Sequence, residues 1–107
     1  MSELMRGRVI WFELGDVGRK PAVVVSNNAR NRALGSALVA RVTSSPKPRL
    51  PSIVELGPTD PLAGRVLCDD LIEVYDDEVL KSAGALSPIT LRAVETGLLH
   101  ALGISPA

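Results

Sequence analysis

The chain has one cysteine, one histidine, three aromatic residues and no long apolar run, and each shortage removes a class of protein. A lone cysteine leaves no internal disulfide framework and fits a reducing cytoplasm. One His beside one Cys offers no zinc-ligand spacing, so no metal is expected, and no motif asks for an organic cofactor. No stretch approaches the roughly 18–20 apolar residues that cross a bilayer, and Met1–Arg6 lacks the apolar stretch of a secretion signal. The net charge of zero argues against indiscriminate nucleic-acid binding. With Trp11, Phe12 and Tyr75 as the whole aromatic complement, the core has to be built from Val, Leu, Ile and Ala. At 107 residues and 46% hydrophobic, that core suffices for one domain, residues 1–107.

What is present is unevenly spread. Residues 1–65 carry ten Lys/Arg against five Asp/Glu, and residues 66–107 carry two against seven. The first part is therefore +5 and the second −5. Two outcomes stay open: a basic face opposite an acidic one, or charges intermingled by folding.

The element pattern is mainly β with α. Residues 8–14 are β-branched and aromatic and read as a strand apolar on both faces, which suits either self-association or a two-sided core. Gly15–Gly18 is turn chemistry, so residues 21–26 return as a hairpin with Pro21 at the strand's first position. Residues 27–35 read as a polar connection or short helix. Residues 37–43 alternate, with Leu38, Ala40 and Val42 on one face and Val39, Arg41 and Thr43 on the other. Three prolines make residues 44–51 an extended basic loop. Residues 52–56 form a short strand, and residues 65–75 are extended with a bulge or edge at Asp69-Asp70. A short helix is expected over 76–81, its acids near the N-terminus. The last element is a helix from Ser87 as N-cap, through Pro88, to a stop at Gly103. Leu91, Val94, Leu98 and Leu102 form the stripe expected to pack on the sheet. The sum is a small, curved antiparallel sheet closed by a terminal helix.

The chemistry-bearing residues gather near the strand ends. Lys20, with Arg19 beside it, sets fixed positive charge at a strand mouth, where it serves either as a phosphate clamp or as an exposed solubilising pair. Thr43 ends a strand and shares a face with Arg41, so a hydroxyl donor and a guanidinium can converge on an anion; an ordinary strand-end Thr is the plainer alternative. Asp69 is a candidate for proton exchange or simply a solvated carboxylate. RNA carries its own nucleophile, the 2′-hydroxyl, so cleavage needs a cation, hydrogen-bond donors and proton transfer. Ser44, Lys47 and Arg49 lie on the loop suited to tracking a nucleic-acid backbone or to lying solvated. Cys68, in an apolar run, reads as a small core residue. Trp11 reads as a core or interface anchor ahead of a base-stacking platform. His100 falls within the terminal helix, away from any proton-transfer role.

Several of these segments together resemble one family. Arg6-Gly7-Arg8-Val9-Ile10-Trp11 is similar to an "RGEIW" opening, and residues 19–27 to "RPAVVVSN". Residues 39–44 are similar to a "V-x-x-x-T-S" strand end, Leu67-Cys68-Asp69 to "x-C-D", and Leu86-Ser87-Pro88 with its helix to "LSPETM…ALGL". In this register the chain resembles the MazF/PemK (Kid, YdcE) toxins. That resemblance implies an SH3-like (CcdB/PemK-like) antiparallel barrel with a C-terminal helix, and a homodimer. It implies a toxin–antitoxin endoribonuclease that cuts single-stranded RNA selectively and without metal, leaving 2′,3′-cyclic phosphate and 5′-hydroxyl ends. It also implies a cognate antitoxin with a disordered acidic tail. The family's catalytic Arg and Thr fall on Lys20 and Thr43, so Lys20, Thr43 and Asp69 are the catalytic candidates. Arg19, Arg41, Ser44, Lys47 and Arg49 are the RNA-binding ones. The Lys at position 20 is a point charge where the family has a planar fork, and Arg19 is an alternative to it. A silent or gyrase-poisoning binding module on the same fold is the other reading.

Overall fold

The computed structural model describes residues 3–105. Met1 and Ser2, part of the argument against a secretion signal, lie outside them. The elements are β1 (Arg8–Leu14), β2 (Gly18–Val24), α1 (Asn28–Leu34), β3 (Ser36–Thr43), β4 (Ile53–Glu55), β5 (Arg65–Tyr75), β6 (Val79–Ala85) and α2 (Pro88–Leu102), with 3-10 turns at Gly15–Val17 and Asp76–Glu78. No helix among the described residues is long and apolar enough to cross a membrane.

The strands form one antiparallel sheet in the order β4-β5-β3-β2-β1-β6. The expected mainly β architecture with a C-terminal helix is what the chain adopts. The ladder itself does not close into a full barrel, because β4 and β6 remain its two edges. Side chains and loop contacts bridge that gap: Pro61, from the β4–β5 connection, packs beside Gly84 of β6, and the Ser87 N–H, just beyond β6, donates to Asp60 of the same connection.

Both faces of the curved sheet are apolar because it folds over two cores. Val9, Val23, Ala40, Val42, Val66 and Cys68 meet Val94 of α2 on one side. Ile10, Phe12, Ala22, Val24, Val39 and Val74 pack together on the other. Strand β1 is therefore a two-sided core strand. Leu38, placed by alternation on the same face as Ala40 and Val42, is exposed.

Three local expectations need correction. Pro21 is the fourth residue of β2 rather than its first, and it is tolerated because pairing with β3 begins only at Ala22. The helix expected over 76–81 is a single 3-10 turn followed by β6. Lys81, Ser82, Ala83 and Gly84 are poor strand formers, so only pairing with β1 makes this segment extended. In α2 the expected stripe holds for Leu91, Val94 and Leu98, which pack on the core together with Ala101, but Leu102 is exposed and Thr90 and Gly97 join Val94 as the buried positions. Gly97 explains that shift: a Cβ there would stand 2.8 Å from Cys68 Sγ and 3.1 Å from the Pro51 carbonyl oxygen. The hydrogen side chain lets the helix come close along that line.

The helix start is held by a carboxylate. Asp60 Oδ1 accepts from the Ser87 N–H at 2.8 Å, and its Oδ2 accepts from the Gly57 N–H at 2.6 Å and the Thr90 hydroxyl at 2.7 Å. Burial pushes this carboxyl up, but those donors outweigh it and hold it below its ordinary 3.8. Ser87 caps the helix as expected, accepting from the Thr90 N–H.

Candidate active site

Strands β2 and β3 pair from Val24 opposite Val39 to Ala22 opposite Arg41, and then part. The fork they leave is a cavity of about 390 Å³. Arg19, Lys20 and Pro21 line one side, Arg41, Thr43 and Ser44 the other, with Trp11 and Leu62 completing the wall. The fork has a physical cause. Pro21 has no N–H with which to extend the ladder, and β3 is drawn toward β5, pairing Thr43 with Arg65.

Thr43 is fixed in two ways. Its Oγ1 accepts from the Ser45 N–H at 3.1 Å, which occupies the oxygen and leaves the hydroxyl hydrogen free to point into the cavity. Its carbonyl lies against Gly64, where a Cβ would come within 2.5 Å of the oxygen and where φ is +129°. Only glycine suits both the conformation and the approach. Gly64 is a site-shaping residue the sequence reading passed over; its one signal is a glycine placed directly before a strand.

Arg41 donates to Asp70 Oδ2 at 3.2 Å, while its Nε is buried with no partner among the described residues. Opposite Arg41, β5 bulges: Ala40 pairs with Leu71 and Val42 with Val66, so residues 67–70 face one residue of β3. The irregularity expected at Asp69-Asp70 is thus present, and it turns Asp70 toward Arg41. Asp69 is exposed and does not line the cavity, so it is not brought to Lys20 and Thr43.

Ser44, Lys47 and Arg49 are exposed along the proline loop. Ser44 belongs to the fork, whereas Lys47 and Arg49 line a neighbouring groove of about 650 Å³ with Leu50, Ile53 and Arg65. The Arg65 guanidinium ties the two regions together by donating to the Ser45 carbonyl at 3.3 Å.

Folding intermingles part of the charge. Arg6–Glu95, Arg30–Glu73 and Arg41–Asp70 each join the basic first part of the chain to the acidic last part. Arg19, Lys20, Lys47 and Arg49 have no ion-pair partner among the described residues, and all four lie at the fork or on the loop leaving it. A cavity walled by two unpaired cations and a hydroxyl donor suits a phosphodiester.

Elsewhere the candidates fall away. Cys68 is fully buried under α2; burial, with the Asp69 carboxylate beside it, pushes its thiol up to about 11, so it stays protonated and inert at neutral pH. His100 is exposed in the last turn of α2. Among the described residues, no group of three or more His, Cys, Asp or Glu is placed to hold a metal ion.

Comparison with known proteins shows what the chain as a whole is similar to. Residues 5–102 match the family model described as PemK-like, MazF-like toxin of type II toxin-antitoxin system. The chain is 38% identical over 104 residues to endoribonuclease MazF4 of Mycobacterium tuberculosis, covering 97% of each. It superposes with a TM-score of 0.90 on a mycobacterial endoribonuclease solved in complex with its cognate antitoxin, at 37% identity, covering 96% of this chain and 98% of that one. A MazE-MazF structure from Deinococcus radiodurans gives a TM-score of 0.79 at 27% identity, over 94% of this chain and 96% of that one.

Proposed function

Since the chain belongs to the PemK-like, MazF-like toxins of type II toxin–antitoxin systems, we propose that the fork between β2 and β3 is where this endoribonuclease cuts RNA. The observation that carries the assignment is the meeting of Arg19 and Lys20, both unpaired among the described residues, with the Thr43 hydroxyl around one cavity. In the reaction the 2′-oxygen attacks the adjacent phosphorus and the bond to the 5′-oxygen breaks. A 2′,3′-cyclic phosphate and a 5′-hydroxyl result. Negative charge on the non-bridging oxygens peaks in the transition state, so groups that meet it there lower the barrier. Lys20, with Arg19, neutralises that charge, and Thr43 donates its O–H to one non-bridging oxygen. The 2′-proton lost and the 5′-proton gained exchange with water at the open cavity. Asp69, outside the cavity, takes no part.

Single-stranded RNA is the substrate this site favours. Ser44, Lys47 and Arg49 continue the fork as an exposed basic path for a flexible backbone. The same cations suit the acidic tail of a cognate antitoxin, which would block the cavity by occupying it. A homodimer is the proposed assembly.

The test is incubation of a long mixed RNA with the protein in EDTA, followed by mapping of fragment ends. Discrete cuts bearing 5′-hydroxyl ends support the assignment. Intact RNA with retained antitoxin binding would instead identify a silent binding module, a reading to which the Asp70 carboxylate held against Arg41 lends some weight.

A further inference from the structure

Trp11 stands in the middle of β1, opposite Pro21 on one side and Lys81 on the other. Its neighbours in sequence, Ile10 and Phe12, are buried, yet Trp11 is only half-buried. The indole forms part of the wall between two cavities: the fork, and a smaller one of about 260 Å³ lined by Trp11, Arg19, Leu80 and Lys81. Lys81 Nζ lies 5.7 Å from the centre of the ring. Leu80 is 47% exposed beside it.

An aromatic surface next to a cationic pocket and flanked by further cations has the composition of a single-stranded nucleic-acid subsite. There the ring takes a base and the charges take the phosphates on either side of it. We propose that the cavity beside Trp11 is a nucleobase subsite, in which the base adjoining the phosphate held at the fork stacks on the indole. This rests on the reading of the fork as the RNA-cleaving centre. Arg19, shared by both cavities, joins the two: it reaches the phosphate that links the stacked nucleotide to the next. The volume is below that of drug-sized pockets, which suits one ring better than a folded partner. Lys81 is no obstacle. An exposed ammonium–ring contact is worth about two- to five-fold in an equilibrium, whereas stacking a base is worth about 5- to 150-fold. An entering base therefore displaces the ammonium, which is then free to meet a phosphate. Stacking reads the face of a base rather than its edge, so this subsite adds affinity and register without dictating which base is bound.

Trp11 is the chain's one tryptophan, so its emission reports on the site directly. The full-length protein is titrated with a single-stranded RNA made uncleavable by 2′-deoxy substitution, with binding followed in parallel by mobility shift. Inorganic polyphosphate at equal ionic strength serves as the phosphate-only probe. Saturable quenching by the RNA and little by polyphosphate is the expected result. Replacing successive bases by abasic residues should abolish quenching at one or two positions only, a readout that requires no protein variant. Trp11→Leu should weaken binding by about 5- to 150-fold, and Trp11→Phe by much less. RNA binding with unmoved Trp11 emission, or equal quenching by polyphosphate, overturns the subsite while leaving the cleavage assignment intact. Absence of any RNA binding overturns both. Binding of an uncleavable strand does not depend on chemistry, so loss of cleavage in Lys20 or Thr43 variants leaves this test standing.

Discussion

The fork between β2 and β3 and the seam where α2 meets the 57–60 turn treat polar groups in opposite ways. At the seam, one carboxylate, Asp60, satisfies three donors from Gly57, Ser87 and Thr90, and the apolar layer beneath is so tight that Gly97 cannot accept a Cβ. At the fork, Arg19 and Lys20 have no acceptor among the described residues, and there the Thr43 hydroxyl keeps its hydrogen unspent. Satisfied groups hold the fold together. Unsatisfied ones are tolerable where water reaches them, and they are what a substrate can satisfy on arrival. The molecule therefore separates rigidity from reactivity, with Gly64 at the junction, where its close approach to the Thr43 carbonyl transmits the sheet's geometry to the site.

Three substitutions break that comparison if it is wrong. The largest effect is expected at the fork: Lys20→Ala and Thr43→Ala should each reduce single-turnover RNA cleavage by about 10²-fold or more, with unchanged unfolding midpoints. Rates like wild type in both variants would remove these side chains from the mechanism. At the seam the reverse pattern is expected. Gly97→Val drives a branched side chain into Cys68 and Val54, and should cost about 1–3 kcal/mol in urea unfolding. The surviving folded fraction should cleave RNA at the normal rate. A stable variant would mean that α2 lies further from the sheet than the 2.8 Å approach implies.

A last substitution at the seam sharpens the comparison by pH. The folded Asp60 carboxyl is held below its ordinary 3.8, so the unfolded chain binds its proton first as pH falls. Its contribution to stability is fully present above the ordinary value and is lost as pH falls through the folded one. Asp60→Asn places an amide donor among three donors and should cost about 1–3 kcal/mol at pH 7. The gap between wild type and variant should narrow below about pH 4. Urea unfolding at pH 7, 4 and 3 measures it, and a gap independent of pH would deny Asp60 this role.

Much of the fold was legible because its signals are local. The span of β1 follows from the β-branched and aromatic run Val9 to Phe12 at its centre. The span of α2 follows from Ser87, Pro88 and Gly103, each acting through its own backbone preference. The β5 irregularity was visible as two adjacent carboxylates that one regular strand cannot place on the same face. The misreadings are all non-local. Strand β6 was hidden because the acids at 76–78 favour a helix start, and only β1 supplies the partner that overrides them. Leu102 was assigned to the buried stripe in place of Ala101 because periodicity cannot register how close Gly97 lets α2 approach.

The site divides along the same line. Residue types alone marked Arg19, Lys20, Arg41 and Thr43, since cations beside a strand mouth and a hydroxyl at a strand end are chemically suggestive wherever they occur. That Asp70 rather than Asp69 faces Arg41 depends on how β5 bulges against β3, and strand alternation ceases to apply inside a bulge. Trp11 was read as an anchor, and a half-buried indole between two cavities is the product of its flanking strands.

What the amino-acid order determined unaided is which elements form and which charges and hydroxyls are available, because capping, turn chemistry and β-branching act over a few residues. What tertiary structure alone decided is where β2 and β3 separate. That separation requires Pro21 to end one ladder while Arg65, more than twenty residues beyond Thr43, begins another. A cavity is a property of strands that fail to pair, and pairing is settled between distant parts of the chain.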